Sequence, residues 1–339
     1  IPVFNRAEAA FRQQGDDVGV ADVLINRSSS LRIIGRFADA EAHCRQALSL
    51  LAQAEPSHSL LRSAAEAHRL IGICLMQQGN LSEGTDELRR SLALYEQAQD
   101  RYGSARLHSD LGTALRVVGN LPASDIHFDQ ALTLWQELGA SAWLANTLNN
   151  IGLGHHLRGQ YGKAIEVYER ALAIAQEMAL GRMQAVLLAG MGDVYRDLGQ
   201  VDQAFAAYNE ARPLAERAQD APLVSYILDA LGNTYILTGD FVRANELIRQ
   251  AYEQAQERKS RQAAALFLAS LGVLQYERGD PAQAIAHLQE SVSVLQEMGA
   301  RRDLTKVRLH LANAYYLNGW WDRALESLDA ALDDVFALG

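Results

Sequence analysis

This sequence predicts an all-α solenoid of about eight stacked helix-turn-helix repeats. Three observations predict it: a glycine that returns every 40 residues, small residues at fixed distances from that glycine, and large apolar residues at helical spacing between them. The recurring glycines are Gly79, Gly119, Gly159, Gly199, Gly239, Gly279 and Gly319. A period of 40 residues is typical of stacked repeat arrays.

Each recurring glycine separates two predicted amphipathic helices, helix A before it and helix B after it. Seven residues before the glycine stands another small residue, as at Gly72, Gly112 and Gly192. Five and twelve residues after it stand further small residues, as at Ala164 and Ala171. Residues without bulky side chains let two helices approach closely. Since one helical hairpin cannot bury its apolar stripe alone, we expect the copies to stack.

The recurring glycine is predicted to end helix A, because glycine adopts the left-handed backbone conformation at the least cost. The next residue is expected to cap helix B where it is Asn80, Asn120, Asp240 or Asp280, since these side chains accept hydrogen bonds from free backbone amides.

Recurring motifs add a family resemblance. A Leu-Gly pair stands at Leu111-Gly112 and Leu231-Gly232. The tyrosine three residues after the small residue of this pair is present as Tyr195, Tyr235 and Tyr315. The aromatic residue that stands four residues after the first small residue of helix B is Phe128, Tyr168 or Tyr208. This resembles a tetratricopeptide repeat array, although histidine, leucine or arginine replaces the family's tryptophan and the period is 40 rather than 34. Similar long-helix arrays occur in kinesin light chains, polarity adaptors and bacterial regulators of the maltose-activator and antibiotic-regulator type. The resemblance implies a right-handed superhelix with a concave binding groove.

The repeat register gives a domain organisation. We expect one solenoid domain over residues 1–339, in which 1–14 belong to a preceding repeat helix, 15–54 form the first repeat, 55–62 are an insertion, and 63–339 hold seven regular repeats. A longer loop is the expected form of the insertion. The apolar residues near the last position lead us to expect a fragment of a longer protein.

Composition narrows the function classes. The formal net charge is -10, which argues against direct binding to nucleic-acid phosphates. Uninterrupted apolar stretches are too short for a membrane span, so we expect no membrane partner. Cys44 and Cys74 form no paired motif and fit a reducing, cytoplasmic location.

No catalytic signature appears in the sequence, so we expect a protein that is not an enzyme and uses no cofactor. Gly152-Leu-Gly154 lies inside a predicted helix rather than after a strand. His155 and His156 are adjacent and point about 100° apart on a helix, so they are poorly placed to share a metal ion.

The remaining candidate is a surface on the A helices. Around Ala145, one face of helix A packs, and a second face lies roughly 130° away. The resemblance implies that this second face lines the concave groove. The predicted ligand-binding residues are Arg106, Ser109, Arg116, Asn146, Asn149, Asn150, His156, Asp193, Arg196, Tyr226, Asp229 and Asn233. Asparagine pairs with a peptide backbone, and Arg116 and Arg196 suit a carboxylate. The alternative is a simple surface ion pair between Asp193 and Arg196.

The leading hypothesis is therefore a scaffold or sensor module that binds a protein or peptide segment in this groove, as part of a larger bacterial signalling or transcription regulator. One alternative is a domain that senses a small-molecule effector in a closed polar pocket. Another is a structural spacer that associates with itself through its terminal repeats. Terminal contacts are expected from Trp320, Trp321 and Phe336.

Overall fold

Paired helices make up most of the described chain. The computed structural model describes residues 2–55 and 57–336, with side chains for 3–55 and 57–335, and this part contains seventeen α-helices and no β-strand. The helices are α1 (Pro2–Gln14), α2 (Asp17–Ile33), α3 (Phe37–Leu51), α4 (His58–Gln77), α5 (Leu81–Gln97), α6 (Arg101–Val117), α7 (Leu121–Glu137), α8 (Ser141–Leu157), α9 (Tyr161–Glu177), α10 (Gly181–Asp197), α11 (Val201–Arg217), α12 (Ala221–Leu237), α13 (Phe241–Glu257), α14 (Arg261–Glu277), α15 (Pro281–Glu297), α16 (Arg301–Leu317) and α17 (Trp321–Phe336). From α2 onward they form eight A–B pairs, which confirms the predicted fold class and repeat number.

The recurring glycine ends helix A as predicted. Gly119 has φ +81°, and the amide of Asn120 donates to the carbonyl of Leu115 at 2.9 Å, which satisfies an otherwise free carbonyl of the last turn. The turn after helix B uses the same left-handed conformation. In several copies the residue with this conformation after helix B is not glycine, for example Ala179 with φ +51° and Lys259 with φ +55°. These turns are strained, because L-residues adopt this conformation at a cost.

Three of the four predicted caps of helix B are present. The side chains of Asn120, Asp240 and Asp280 each accept a hydrogen bond from the backbone amide three residues later. The prediction for Asn80 is wrong, since its side chain makes no capping hydrogen bond. The backbone ψ angles at Asn80 and Asn120 are similar, at 66° and 73°, so the difference lies in the side-chain rotamer rather than in the turn.

The insertion near residue 56 is only partly a loop. Helix α4 begins at His58 and has 20 residues, whereas α5 and α6 have 17. The extra residues therefore lengthen α4 as well as the connection from α3, because residues from His58 onward add a turn to the amphipathic helix. Ser57 caps this longer helix by accepting a hydrogen bond from the amide of Leu60 at 3.2 Å. Pro56 lies outside the described residues.

Small residues bring helix A against helix B within each pair. A Cβ atom added at Gly192 would lie 2.5 Å from the Tyr208 ring, and one added at Gly232 would lie 2.4 Å from the Ile248 side chain. At Gly72 the obstacle is the backbone carbonyl oxygen of Gly84, at 2.8 Å. Real Cβ atoms do not approach so closely, so alanine at these positions would force the facing side chain, or at Gly72 the facing backbone, to shift.

The chain divides into two compact units, Ile1–Thr147 and Leu148–Gly339. The core of the first unit includes Leu24, Leu70 and Ile71, all almost fully buried. In the second unit the buried core continues from one helix pair to the next, with Tyr208 fully buried between its neighbours. Both cores are apolar, and their burial is the main stabilising term of the fold. None of the described helices is long and apolar enough to cross a bilayer.

The last helix, α17, carries a row of exposed apolar residues. Trp321 is 67% exposed, and Leu325, Leu328, Leu332 and Val335 are also exposed. Trp320 packs its ring 6.0 Å from that of Tyr315, measured between centroids, and the guanidinium of Arg323 lies over it. The predicted terminal contact of Phe336 concerns a side chain outside the described part of the structure.

Candidate functional site

Six polar side chains of the second unit meet on three consecutive helices. Asp193 and Arg196 lie one turn apart on α10, Tyr208 lies on α11, and Tyr226, Asp229 and Asn233 follow the successive turns of α12. We call these six residues the polar cluster. They are neighbours because positions three and four apart share a helix face, and because α12 packs against both α10 and α11.

Asp193 is the centre of the polar cluster. Its Oδ1 accepts a hydrogen bond from the Tyr208 hydroxyl at 2.7 Å and pairs with Nη1 of Arg196 at 3.1 Å. Its Oδ2 accepts a hydrogen bond from the Tyr226 hydroxyl. The ion pair suggested by the sequence spacing is therefore present, but it belongs to a larger network. Two phenols and a guanidinium satisfy this carboxylate, as a charge that is largely removed from water requires.

The two tyrosines of the polar cluster keep their protons. Burial and the nearby Asp193 carboxylate raise the pKa of Tyr208. Burial of the hydroxyl and the same carboxylate raise the pKa of Tyr226, although 40% of the residue surface remains exposed. Both hydroxyls therefore act as donors to Asp193 at any ordinary pH.

Arg196 is already engaged by carboxylates of its own chain. Besides Asp193, its Nη2 pairs with Oδ1 of Asp197 at 3.2 Å. Asp197 in turn contacts Nε2 of His156 through Oδ2 at 2.8 Å. Burial opposes ionisation of Asp197, but the hydrogen bond to His156 and the charge of Arg196 outweigh it and lower the pKa of this carboxyl. The guanidinium predicted to hold a ligand carboxylate thus has internal partners.

Asp229 is less well satisfied than Asp193. Its Oδ2 accepts a hydrogen bond from Nδ2 of Asn233 at 3.0 Å, and the same amide lies 3.3 Å from the hydroxyl of Ser270 on α14. Its Oδ1 is buried and has no hydrogen-bond partner. Burial raises the pKa of this carboxyl to about 7. An acceptor that is buried and unpaired is costly, so this oxygen is suited to a donor from a ligand.

Five of the sequence-predicted ligand residues therefore lie together in the polar cluster, namely Asp193, Arg196, Tyr226, Asp229 and Asn233. His156 joins its edge through Asp197. Asn149 and Asn150 lie half-buried on α8, one helix pair before α10. The assignment of all these residues to ligand binding remains a prediction.

The other predicted ligand residues lie in the first unit. Arg106 forms an ion pair with Glu66 and contacts the Tyr95 hydroxyl at 2.9 Å. Ser109 is buried, and its hydroxyl lies 3.0 Å from that of Thr147. A buried serine is poorly accessible to a ligand, so its position favours a packing role. Arg116 and Asn146 are half-buried.

The sequence alone did not single out Tyr208, Asp197 or Ser270 as site residues. In the sequence Tyr208 is marked only by its repeat position, as the aromatic residue of helix B, and that position does not predict a partner for its hydroxyl. Ser270 stands 120 residues after Asn150, three periods later, so the same register that selects Asn150 selects Ser270. Asp197 follows Arg196 directly, and only the structure shows that it contacts His156.

The chemistry of the polar cluster is that of hydrogen-bond acceptors. Within residues 2–55 and 57–336, no group of three or more histidine, cysteine, aspartate or glutamate residues is arranged to hold a metal ion. The cluster presents carboxylate and amide acceptors beside a half-exposed phenol. Such groups recognise the N–H donors of an extended chain.

Comparisons with solved structures show the same fold. The structure matches a Rap protein complexed with competence and sporulation factor, with a TM-score of 0.70 and 15% identity over 94% of this chain and 98% of that one. It matches the apo form of the quorum sensor NprR from B. thuringiensis, with a TM-score of 0.67 and 14% identity over 98% and 97%. It also matches the Rap conjugation gene regulator of plasmid pLS20 in complex with the Phr* peptide, with a TM-score of 0.67 and 13% identity over 94% and 98%.

Family models match much of the sequence. Two models, each described as tetratricopeptide repeat, match residues 103–177 and 183–257 in one case and 34–98 in the other. A model of anaphase-promoting complex subunit 5 matches residues 233–318. No curated protein matches the chain. Because the tetratricopeptide models together cover more than half of the sequence and the helix pairs have the expected fold, the chain belongs to the tetratricopeptide repeat family.

Proposed function

We propose that the second unit binds a peptide or an extended protein segment at the polar cluster. The observation that carries this proposal is the buried, unpaired Oδ1 of Asp229 beside the half-exposed Tyr226. An extended segment offers backbone N–H groups, and those are donors that the cluster lacks. The pLS20 regulator of the same fold is described in complex with a peptide, which supports a ligand of this class.

The cluster residues that lie on A helices, with Ser270 beside them, also support this function. Asp193 on α10, Asn233 on α12 and Ser270 on α14 belong to three successive A helices of the second unit. A ligand that contacts all three must be extended across several repeats. A segment of several residues fits this requirement better than a compact metabolite.

The experiment is a positional-scanning library of fluorescently labelled hexapeptides, measured by fluorescence anisotropy against the purified chain. The double variant Tyr226→Ala/Asn233→Ala removes a half-exposed ring and an amide of the cluster. We expect it to weaken binding of the selected peptides by roughly tenfold or more, because each charged or amide contact contributes about 1 to 2 kcal/mol. Asn245→Ala is the matched control, since Asn245 lies on helix B of the same pair and bonds Arg249. Equal loss in both variants, or no selected peptide at all, would refute the proposal.

We further infer that this binding module is a non-enzymatic sensor within a larger bacterial regulator and that it works in the cytoplasm. The basis is the resemblance to the long-helix repeat arrays of maltose-activator-type regulators. In this proposal residues 1–339 act as one repeat domain. The test is to find which domains flank the repeats in the full gene product and whether the selected peptide alters their activity. A full-length protein without a signalling or DNA-binding domain would contradict it.

Self-association is a second candidate function, favoured by the exposed row on α17. Leu325 and Leu328 are exposed, whereas Ile285 and Leu288, one period earlier, are 5% and 0% exposed. A second copy of the chain, packed against α17, would bury this apolar row as Ile285 and Leu288 are buried in the preceding repeat. Sedimentation velocity over a range of concentrations tests this: a dimer lost in Trp320→Ser and Trp321→Ser supports it, and a monomer at all concentrations contradicts it.

A further inference from the structure

The polar cluster contains more negative than positive charge. Its carboxylates are Asp193 and Asp229, and Asp197 adds a third at its edge. Arg196 is the guanidinium that faces all three. Arg196 bonds directly to Asp193 and Asp197, while its influence on Asp229 is through space. Asp229 therefore lacks a cationic partner in direct contact, and one of its two oxygens has no hydrogen-bond donor.

We propose that Asp229 binds a cationic nitrogen of the ligand, either a primary ammonium or a guanidinium. This inference rests on the proposed peptide-binding function and adds the chemical group that the site selects. The bound nitrogen donates to Oδ1, and the ionised carboxylate gains the opposite charge that its surroundings do not supply in contact. A buried charge is favourable only when it is paired and hydrogen-bonded, so the ligand completes the site.

The surroundings of Asp229 limit what else could complete it. From α10 it faces Asp193, whose charge opposes its ionisation, and Arg196, whose charge favours it. From α14 the Ser270 hydroxyl hydrogen-bonds this carboxyl and favours its ionised form, as does Asn233 on its own helix, where Tyr226 also lies. Neither group carries a positive charge, and Oδ1 keeps no donor. Helix α13 meets α12 at Gly232, where Ile248 is the contacting side chain. The described neighbours thus supply one nearby cation, and it is committed to other carboxylates.

A neutral ligand would leave the charge of Asp229 unpaired. Without a ligand, burial holds the pKa of Asp229 near 7, so the carboxyl is about half protonated at neutral pH. A bound cation requires the ionised form, so binding releases a proton. We expect the affinity for a basic ligand to fall about tenfold for each pH unit below 7. Tyr208 and Tyr226 contribute nothing to this dependence, because both hydroxyls stay protonated.

The first experiment needs no peptide. The carboxyl carbon of Asp229, assigned by comparison with Asp229→Asn, is titrated by ¹³C NMR with n-butylammonium chloride, with tetramethylammonium chloride as the control. Both ions carry one positive charge, but only n-butylammonium donates hydrogen bonds. We expect n-butylammonium to lower the titration midpoint by about one pH unit or more, as an opposite charge in contact does, and tetramethylammonium to leave it nearly unchanged. Equal effects of the two ions, or none, would overturn the inference.

The second experiment uses the hexapeptides selected in the library. The parent peptide is compared with one whose Lys or Arg is replaced by norleucine, and with one whose N-terminus is acetylated. Loss of at least about tenfold on one of these changes identifies which nitrogen binds. That loss must vanish in Asp229→Asn and persist in Asp202→Asn, which changes an exposed aspartate on α11.

The two proposals fail in different ways. If peptides bind but neither change of nitrogen matters, or if Asp229→Asn still discriminates the basic peptide, peptide binding stands and the role of Asp229 is refuted. If n-butylammonium acts on Asp229 as expected but no peptide binds, the cation site stands and the peptide-binding function is refuted.

Discussion

The hydroxyl of Tyr208 donates to Oδ1 of Asp193 at 2.7 Å and so links helix B of one repeat to helix A of the same repeat. Tyr226, from the next repeat, donates to the other oxygen of the same carboxylate. A single side chain therefore connects three helices of two repeats. Tyr208 is fully buried, so water cannot replace its hydroxyl if it is removed.

Tyr208→Phe is expected to destabilise the chain by about 1 to 3 kcal/mol, because it takes a donor from a carboxylate that is only 13% exposed and leaves the ring in place. The measurement is urea unfolding at pH 7, followed by circular dichroism. Tyr252→Phe is the control, since the Tyr252 hydroxyl bonds the exposed amide of Gln256 and its loss should change stability by less than about 0.5 kcal/mol. Equal effects of the two changes would show that Asp193 does not depend on Tyr208.

Asp229 gives the free protein a dependence of stability on pH. Burial raises its pKa from 3.8 to about 7, so between these values the native state binds a proton that the unfolded state has lost. The sign follows: this group costs little below pH 3.8, its cost grows as the pH rises from 3.8 to 7, and the cost stays constant above 7. We expect Asp229→Asn to be more stable than the parent by about 2 to 4 kcal/mol at pH 8, and by much less at pH 5. Urea unfolding at both pH values measures this; a constant difference would contradict it.

The fold was predictable from the sequence because it repeats. Each marker position is sampled seven or eight times, so the small residue at Gly112 or Gly192 stands out from chance variation. The site is not repeated. Asp193, Asp229 and Asn233 occupy groove positions that hold other residues in other copies, so the register locates the face but not the partners. Arg196 has carboxylate partners, whereas Oδ1 of Asp229 has no hydrogen-bond donor. This difference depends on side-chain geometry, which the residue spacing does not encode.

The close approach at Gly72 predicts a large effect of one methyl group. Gly72→Ala would place a Cβ atom 2.8 Å from the carbonyl oxygen of Gly84, and a backbone atom cannot rotate away as a side chain can. We expect a loss of about 2 to 3 kcal/mol, seen as a lower urea midpoint. Gly162→Ala is the matched control, because Gly162 also lies in a helix but has open space at its Cβ position. There alanine should be neutral or stabilise by up to about 1 kcal/mol. Equal losses at both sites would contradict the close-packing interpretation.

His108 and His127 form a second pH-sensitive contact, with their Nδ1 atoms 2.9 Å apart. Burial, and then the neighbouring His127, lower the pKa of His108 from 6.5 to about 4; burial and Arg89 also lower that of His127. The unfolded state therefore binds more protons than the native state below pH 6.5, so stability is retained above 6.5 and lost as the pH falls toward 4. For His108 alone the loss approaches about 3 kcal/mol.

The chain itself provides the replacement for this pair. One period later the same two positions hold Leu148 and Val167, so His108→Leu/His127→Val substitutes residues that the repeat already accommodates. We expect this double variant to lose less stability than the parent between pH 7 and pH 4.5, as measured by urea unfolding at both values. His58→Asn, at an exposed histidine, controls for the carboxylates that also titrate in this range. The prediction is contradicted if the double variant loses as much stability on acidification as the parent and His58→Asn do. In that case the native state accommodates the two imidazoles in their charged form, and this histidine pair does not make the protein sensitive to acid.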